Sequence, residues 1–249
     1  MPYKDYWEKY WSDPSHYDSS PNSKILEIIF SLFPVKGKKI LEIGAGRGVD
    51  SIVLAKNGAD VSVLDYSDSA VEIIKKRAAE EKADLKIYKA DANKLPFEDG
   101  TFDLIFHQGF IEHFNDPGPL IEEQKRVLKS GGYLMVDVPQ KYNYYTLVKH
   151  FKMFLGKWHY GWETEYTIDG LRRFLQKKDF ETVKEYGYGY YPDFLKKIRY
   201  LEERIKRRPM KVLFPEFFWK IYNFSWNRYE KTRLALYFFL CIGVVGKKK

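Results

Sequence analysis

Cysteine and glutamine are scarce in this chain, and no part of it stays apolar for long. Cys241 is the single cysteine in 249 residues, which excludes a disulfide framework and a metal site built from several thiolates. The longest apolar run, Leu234 to Val245, is about a dozen residues, whereas a membrane-spanning helix needs roughly 20. The amino terminus carries no apolar core of a signal peptide. These absences predict a cytoplasmic protein.

Acidic residues become scarce toward the carboxyl end. Residues 195–249 contain 15 Lys and Arg against 4 Asp and Glu, a net charge of +11. Residues 1–194 contain 27 basic against 30 acidic residues, so the basic excess of the chain lies in its last part. A charge asymmetry of this kind predicts an anionic partner, either RNA or a membrane surface that the protein would bind peripherally.

The most informative stretch that the chain does contain is KILEIGAGRGVDSIVLAKNGADVSVLD, residues 39–65. An apolar run breaks into a glycine turn, a helical segment follows over Asp50 to Lys56, and a second apolar run ends on Asp65. This order predicts one βαβ unit of a parallel sheet. The glycines allow positive φ and leave bare backbone for a ligand. Asp65 falls at the carboxyl end of the second strand, where a carboxylate can accept hydrogen bonds from ribose hydroxyls.

The spacing of the glycines separates two kinds of ribose-bearing cofactor. The dinucleotide fingerprint is G-x-G-x-x-G, but this chain has Val49 at the third glycine position, which disfavours a nicotinamide oxidoreductase. The pattern E-x-G-x-G-x-G, Glu42 to Gly48, instead resembles motif I of the class I S-adenosylmethionine-dependent methyltransferases.

Two further strings make that resemblance specific. D-A-x-x-L-P-F-x-D-x-x-F-D, Asp91 to Asp103, resembles the corresponding stretch of the UbiE-like (methyltransferase type 11) family. R-V-L-K-S-G-G, Arg126 to Gly132, resembles the family's R-x-L-K-P-G-G turn, with Ser130 in place of the usual proline. The chain is identified as a member of this family on residues 39–138.

The resemblance implies an α/β fold with a seven-stranded Rossmann-like sheet, mostly parallel with its last strand antiparallel, and helices on both faces. We expect one methyltransferase domain over 1–249. Its parts are a helical cap at 1–35, a cofactor-binding core at 39–138, an aromatic acceptor-side insertion at 139–166, and a basic amphipathic helical insertion at 193–233. Within the cap, Tyr3, Tyr6, Trp7, Tyr10 and Trp11 recur at helical spacing.

Periodicity and turn signals place the other elements. Helices are predicted at 24–32, 68–82 (capped by Ser67), 119–128, 167–178 (capped by Thr167) and 195–205. Strands are predicted at 85–89, 102–106, 133–138, 180–190 and 235–245, with a stop at Lys129 to Gly132.

The resemblance implies S-adenosyl-L-methionine as methyl donor and S-adenosyl-L-homocysteine as product, with no metal. The residues predicted to bind this cofactor follow the ends of the first four strands. They are Glu42, Gly44, Ala45, Gly46, Gly48, Asp65, Tyr66, Asp91, Ala92, His107 and Gln108.

Methyl transfer of this kind is an in-line displacement in which the protein aligns donor and acceptor. A neutral hydroxyl or amine acceptor also needs a base to remove its proton. His113 follows the fourth strand at the crevice and is the candidate base; the alternative is that it merely caps or packs the following turn. Tyr142, Tyr144 and Tyr145 are predicted to bind the acceptor or line its pocket.

The sequence leaves the acceptor open. The rings between 139 and 162 favour an O, N or C atom of a small or lipophilic metabolite. The basic residues 195–249 allow an RNA methyltransferase, in which rings stack on bases and cations contact phosphates, or an anionic membrane surface. A non-catalytic module that only binds S-adenosylmethionine is a further alternative. The oligomeric state is not predicted.

Overall fold

A single seven-stranded sheet organises the described part of the protein. The computed structural model describes residues 4–13, 20–158, 163–189 and 231–249, together with residues 220, 225, 228 and 229. In chain order the strands are β1 (Lys39–Ile43), β2 (Asp60–Asp65), β3 (Leu85–Lys89), β4 (Phe102–Gln108), β5 (Leu128–Pro139), β6 (Phe180–Tyr188) and β7 (Cys241–Lys248).

The strand order in the sheet is β3-β2-β1-β4-β5-β7-β6. Neighbours from β3 through β5 pair in parallel, whereas β7 is antiparallel to both β5 and β6. The last strand along the chain is thus the one that reverses direction, which confirms the fold class expected from the sequence. The order reverses at β1 and β4, so a crevice opens there at the carboxyl ends of the parallel strands.

Helices cover both faces of the sheet because its central strands are apolar on both sides. In β1, Ile40 packs into one core while Leu41 and Ile43 pack into the other, and all three are fully buried. The helices are α1 (Lys4–Ser12), α2 (Ser23–Leu32), α3 (Val49–Lys56), α4 (Asp68–Glu80), α5 (Gly118–Val127), α6 (Tyr144–Phe154) and α7 (Ile168–Lys177).

Two of the predicted helix caps are confirmed. Ser67 Oγ accepts a hydrogen bond from the Ala70 N–H at 3.1 Å, and so begins α4. Thr167 Oγ1 accepts one from the Gly170 N–H at 3.0 Å and begins α7. In both cases a hydroxyl satisfies a backbone donor that the first helical turn leaves without a partner.

Several predicted boundaries are wrong, among them the ends of α4, at Glu80 and not 82, and of β6, at Tyr188 and not 190. Strand β4 runs two residues further than expected, to Gln108. Strand β5 already begins at Leu128, so the predicted stop at Lys129 to Gly132 is an irregular start of the strand, where pairing jumps from Phe102↔Leu128 to Leu104↔Tyr133. The predicted strand at 235–245 is instead a 3₁₀ helix, Arg233–Tyr237, followed by β7.

The register with β5 explains this last difference. Cys241 pairs with Pro139, the final residue of β5, so no β5 partner remains for residues 235–240. Apolar composition alone does not mark that boundary.

The basic insertion at 193–233 and its predicted helix at 195–205 lie almost entirely outside the described residues. Among the helices that are described, none combines the length and the apolar composition needed to cross a bilayer.

Candidate functional site

A cavity lies where the carboxyl ends of β1, β2, β3 and β4 meet. It encloses about 670 Å³ of empty space, including open solvent at its mouth. Its wall combines the loops that follow the four strands with two tryptophans of α1. The lining residues are Trp7, Trp11, Gly44, Leu64, Asp65, Tyr66, Ala90, Asp91, Ala92, Gln108, Gly109, Phe110, His113 and Phe114.

The loop after β1 brings bare backbone to the cavity. Gly44, Gly46 and Gly48 have φ of 63°, 50° and 62°, in the left-handed region that favours glycine. A Cβ at Gly46 would lie 2.5 Å from a ring carbon of Trp11, and a Cβ at Gly44 would lie 2.7 Å from a ring carbon of Phe110. Aromatic rings therefore approach the loop more closely than any side chain there would allow.

Asp65 ties the end of β2 to this glycine loop. Its Oδ2 accepts a hydrogen bond from the Gly46 N–H at 3.0 Å, and its Oδ1 accepts one from the Ser67 N–H at 3.0 Å. Burial raises the pKa of the carboxyl, and these backbone hydrogen bonds oppose that rise. Each carboxylate oxygen can accept a second hydrogen bond, so Asp65 keeps the capacity to hold the hydroxyls of a ribose.

Two buried acids lie on the other side of the glycine loop. Glu42 accepts a hydrogen bond from the Ser51 hydroxyl at 2.5 Å, and burial, reinforced by the negative charge of Asp50, raises its pKa to about 8. Asp50 Oδ2 accepts a hydrogen bond from the Gln108 amide at 2.8 Å, and the Asn22 amide donates to Gln108 Oε1 at 2.9 Å.

These acids line a second hollow of about 730 Å³, open to solvent, that shares Trp11, Gly44 and Gln108 with the cavity. Buried carboxyls of raised pKa gain from a cationic neighbour, so the hollow suits an ammonium group. The sequence did not single out Asp50 or Asn22 as site residues, because their contact with Gln108 joins distant parts of the chain.

Helix α1 covers the cavity. The Trp7 and His113 rings meet edge to face with centroids 4.9 Å apart, while Trp11 lies over Gly46. Glu8 holds the helix in place, because it accepts hydrogen bonds from the Ser67 hydroxyl at 2.7 Å and the Ser69 N–H at 3.0 Å. Burial alone would raise the pKa of Glu8, but these hydrogen bonds lower it. The carboxylate thus sits at the amino terminus of α4, where negative charge is favoured.

His113 ends a short 3₁₀ helix, Ile111–His113, and its buried ring faces the cavity. Its Nε2 lies 4.0 Å from Glu112 Oε1. Glu112 is buried as well, and this burial raises its pKa well above the usual range. The imidazole is therefore placed where it can reach a molecule in the cavity.

Four predicted site residues lie elsewhere. His107 was expected to follow β4, but it lies inside the strand opposite Val136 and is fully buried behind Phe110, so it does not line the cavity itself. That burial lowers its pKa to about 4. Tyr142 and Tyr144 are exposed at the start of α6, and the Tyr145 hydroxyl donates to Glu163 at 3.3 Å. None of these three tyrosines lines the cavity, because Tyr142 precedes α6 on the surface and α6 directs Tyr144 to solvent and Tyr145 toward Glu163.

The other predicted cofactor residues are brought together. Gly44, Asp65, Tyr66, Asp91, Ala92 and Gln108 line the cavity, while Glu42, Ala45, Gly46 and Gly48 line the adjoining hollow. Trp7 and Trp11 are additional members, and their signal in the sequence was the aromatic face of α1. Within the described residues, no group of three or more His, Cys, Asp and Glu side chains is placed to hold a metal ion.

Comparison with known proteins agrees with this geometry. Residues 41–136 match the family model described as a methyltransferase domain. A demethylmenaquinone methyltransferase of Clavibacter sepedonicus is 35% identical over 41% of this chain and 42% of its own length. A ubiquinone biosynthesis O-methyltransferase of Coxiella burnetii is 30% identical over 52% of each chain. The chain thus spans about half the length of the curated relatives it matches.

The fold comparison extends over nearly the whole chain. The crystal structure of a SAM-dependent methyltransferase from Aquifex aeolicus superposes with a TM-score of 0.56 and 17% identity, covering 97% of both chains. Similarity at this level of identity concerns the fold. The chain is therefore similar to methyltransferase domains over residues 41–136, which contain the glycine loop, Asp65 and the Asp91 string, and it shares the fold of solved methyltransferase structures.

Proposed function

We propose that this protein transfers a methyl group from S-adenosyl-L-methionine to an O, N or C atom of a small or lipophilic metabolite and releases S-adenosyl-L-homocysteine. The observation that carries the proposal is Asp65, buried at the end of β2, which lines the cavity and holds the glycine loop through the Gly46 N–H. A ribose on this carboxylate would lie between the glycine loop and the Asp91–Ala92 turn.

The remaining lining residues match the other parts of the donor. Asp91 and Ala92 offer a polar turn beside the aromatic ring of Tyr66, which suits an adenine. Glu42 and Asp50 on the adjoining side suit the ammonium of an amino acid. The sulfonium of the bound donor would supply an already activated methyl group, so the protein's task is alignment and the exclusion of water.

His113 is the residue that we propose as base. Its ring lies at the cavity wall under Trp7, where it could accept the proton of a hydroxyl or amine acceptor during transfer. Glu112 Oε1, 4.0 Å from Nε2, is the neighbouring group that would influence the charge of the imidazole.

A lipophilic acceptor fits the walls of the cavity. Trp7, Trp11, Phe110 and Phe114 form an apolar side that would favour a ring or an isoprenoid-like molecule over a highly charged one. The two curated relatives are named for demethylmenaquinone and for ubiquinone biosynthesis, and quinone-type rings are acceptors of this class.

The basic residues 195–249 remain our candidate for an anionic partner, RNA or a membrane surface, on the strength of their charge. A cytoplasmic enzyme would meet either partner.

Calorimetric titration of the purified protein tests the donor site. We expect S-adenosylmethionine and S-adenosylhomocysteine to bind and NAD not to bind. Asp65→Asn should weaken binding at least tenfold, because the amide replaces an acceptor oxygen by a donor. The matched control is Asp60→Asn at the start of the same strand, whose carboxylate pairs with Lys86 on the surface and whose loss should leave donor affinity unchanged. Equal affinity of the Asp65→Asn variant and the wild type would refute the ribose assignment.

Turnover separates an enzyme from a binding module. The wild type is incubated with donor and a panel of catechols, demethylated quinones, amines and RNA, and S-adenosylhomocysteine release is measured. Release only with ring hydroxyl or ring carbon acceptors supports the proposal. Release with RNA alone would favour the nucleic-acid alternative, and donor binding without release across the panel would favour the binding module.

A further inference from the structure

One side of helix α6 buries polar side chains against the protein. Thr146 is buried and its hydroxyl donates to the Gln140 carbonyl at 3.0 Å. Lys149 is only 4% exposed, and its Nζ lies 3.1 Å from Glu165 Oε1 and 3.5 Å from Glu163 Oε2. Asn143, which caps the helix, donates its amide to the Leu240 carbonyl at 2.9 Å. These contacts fix the rotation of α6 about its axis, because turning the helix would separate the buried Lys149 from the two glutamates that neutralise its charge.

The opposite side of α6 is apolar and points to solvent. Leu147, Phe151 and Phe154 are 68%, 63% and 86% exposed, and Tyr144 continues the row at 44%. The spacing of these four residues places them on one side of the helix. We call them the α6 apolar face. A surface helix in water normally has the reverse arrangement, with its apolar side against the protein. The α6 apolar face is therefore matched to an apolar environment outside the protein.

The charged residues of α6 and of the turns that flank it have one sign, and the two glutamates that approach the helix, Glu163 and Glu165, are paired with Lys149 and His150. Residues 141–158 contain Lys141, Lys149, Lys152 and Lys157 but no Asp or Glu. Lys152 and Lys157 are exposed beside the face. Exposed rings and leucines flanked by lysines are the composition of a helix that lies in the interface of an anionic membrane.

Charge also decides between the partners that could cover the face. A second copy docked through the same face would bring lysines against lysines. The chain's own residues 190–230, which lie largely outside the described part, carry ten Lys and Arg against five Asp and Glu, so they too would bring positive charge. Anionic lipid headgroups are complementary to the lysines, and acyl chains are complementary to the rings.

We infer that α6 is an interfacial membrane anchor, whose apolar face inserts among the acyl chains of an anionic bilayer while Lys152 and Lys157 contact the headgroups. In the sequence, this segment is distinct from the basic residues 195–249. It lies close to the candidate site, since α6 packs on the 163–165 segment, where the Thr164 N–H donates to the Glu112 carbonyl at 2.7 Å beside His113. A lipophilic acceptor dissolved in the bilayer would thus be held near the cavity.

Sedimentation with lipid vesicles tests the inference on the full-length protein. The probes are vesicles of phosphatidylcholine with and without phosphatidylglycerol. We expect the wild type to pellet with the vesicles that contain phosphatidylglycerol, and Phe151→Asp/Phe154→Asp to reduce this binding by roughly tenfold or more. The matched control is Phe30→Asp, which places the same charge on an exposed ring of α2 (42% exposed) and should bind as the wild type does.

A second variant tests the charges separately. Lys152→Gln/Lys157→Gln should lose the preference for phosphatidylglycerol while keeping the apolar face. Circular dichroism melting of each variant shows that it is folded, since all the altered side chains are exposed.

Several results would overturn the inference. Failure of the wild type to pellet with either kind of vesicle would contradict it. Vesicle binding that persists in Phe151→Asp/Phe154→Asp would also contradict it, because the binding would then be due to residues 195–249. A lipid-free dimer that this variant dissociates would assign the face to a second copy instead, and RNA binding lost in the same variant would assign it to nucleic acid. None of these measurements uses a methyl donor, so the proposed methyl transfer stands or fails independently.

Discussion

At the scale of single residues, Glu42 makes stability depend on pH. Its pKa is raised to about 8, mainly by burial, whereas the unfolded chain returns it to its ordinary value near 4.5. Between these values the folded state holds a proton that the unfolded state has lost, so the contribution of Glu42 to stability falls as pH rises and is lost above about 8. A cationic ligand in the adjoining hollow would favour the ionised form of this carboxyl.

Glu42→Gln should therefore flatten the pH dependence of unfolding. We expect the variant to match the wild type near pH 5 and to exceed its free energy of unfolding by about 1 kcal/mol or more near pH 9. Urea titrations at both pH values measure this difference. Identical pH slopes in the two proteins would mean that Glu42 ionises in the folded state much as it does in the unfolded chain.

His113 gives the second prediction at this scale. His113→Asn should slow methyl transfer by roughly 10²-fold or more if the imidazole takes the acceptor's proton, and it should leave donor affinity unchanged. Single-turnover rates and calorimetry separate the two effects. His150→Asn, at an exposed histidine of α6 (57% side-chain exposure), serves as the control. A His113→Asn variant with the wild-type rate would remove the residue from the chemistry.

At the scale of elements, α1 is held over the cavity by one carboxylate. Glu8 accepts hydrogen bonds from Ser67 and Ser69, so Glu8→Gln should weaken the closed position of α1 and lower donor affinity severalfold through faster dissociation. Stopped-flow tryptophan fluorescence reports the dissociation rate, because Trp7 and Trp11 line the cavity.

The neighbouring Asp5→Asn variant provides the comparison for Glu8→Gln. Asp5 is exposed in the first turn of the same helix, and its loss should not change the dissociation rate. Equal rates for all three proteins would show that α1 does not retain the ligand.

The elements also show how far the sequence could predict this structure. The sites marked by glycine turns and by acids at strand ends, such as Gly44 and Asp65, were predictable because local backbone geometry requires those residues. The pairing of Asp50 with Gln108 and the cover of Trp11 over Gly46 depend on long-range packing, which no local pattern encodes. The 3₁₀ helix at Arg233–Tyr237 was missed for the same reason, because strand register in β5 decides where β7 begins.

At the scale of the whole molecule, β7 inserts the carboxyl-terminal part of the chain into the sheet between β5 and β6. A Cβ at Gly243 would lie 2.0 Å from the Tyr186 ring of neighbouring β6, so the two strands pair only if residue 243 lacks a side chain. Gly243→Ala should lower the free energy of unfolding by about 1–3 kcal/mol or more, as overpacking of a core does.

A second-site change checks the cause of this loss. Tyr186→Leu removes the ring atoms that would clash, so the double variant should recover part of the stability lost in Gly243→Ala. Chemical denaturation of both variants measures the recovery. No recovery would place the destabilisation in the backbone of β7 and not in its contact with Tyr186.

The cover formed by α1 has a kinetic consequence for the proposed enzyme. Helix α1 contacts both the glycine loop through Trp11 and the candidate base through Trp7. Release of S-adenosylhomocysteine and entry of S-adenosylmethionine would then both require α1 to move. The turnover number would then be limited by the rate at which α1 opens. A viscous solvent or a crosslink between α1 and α4 would therefore slow the catalytic cycle even with the chemical step unchanged.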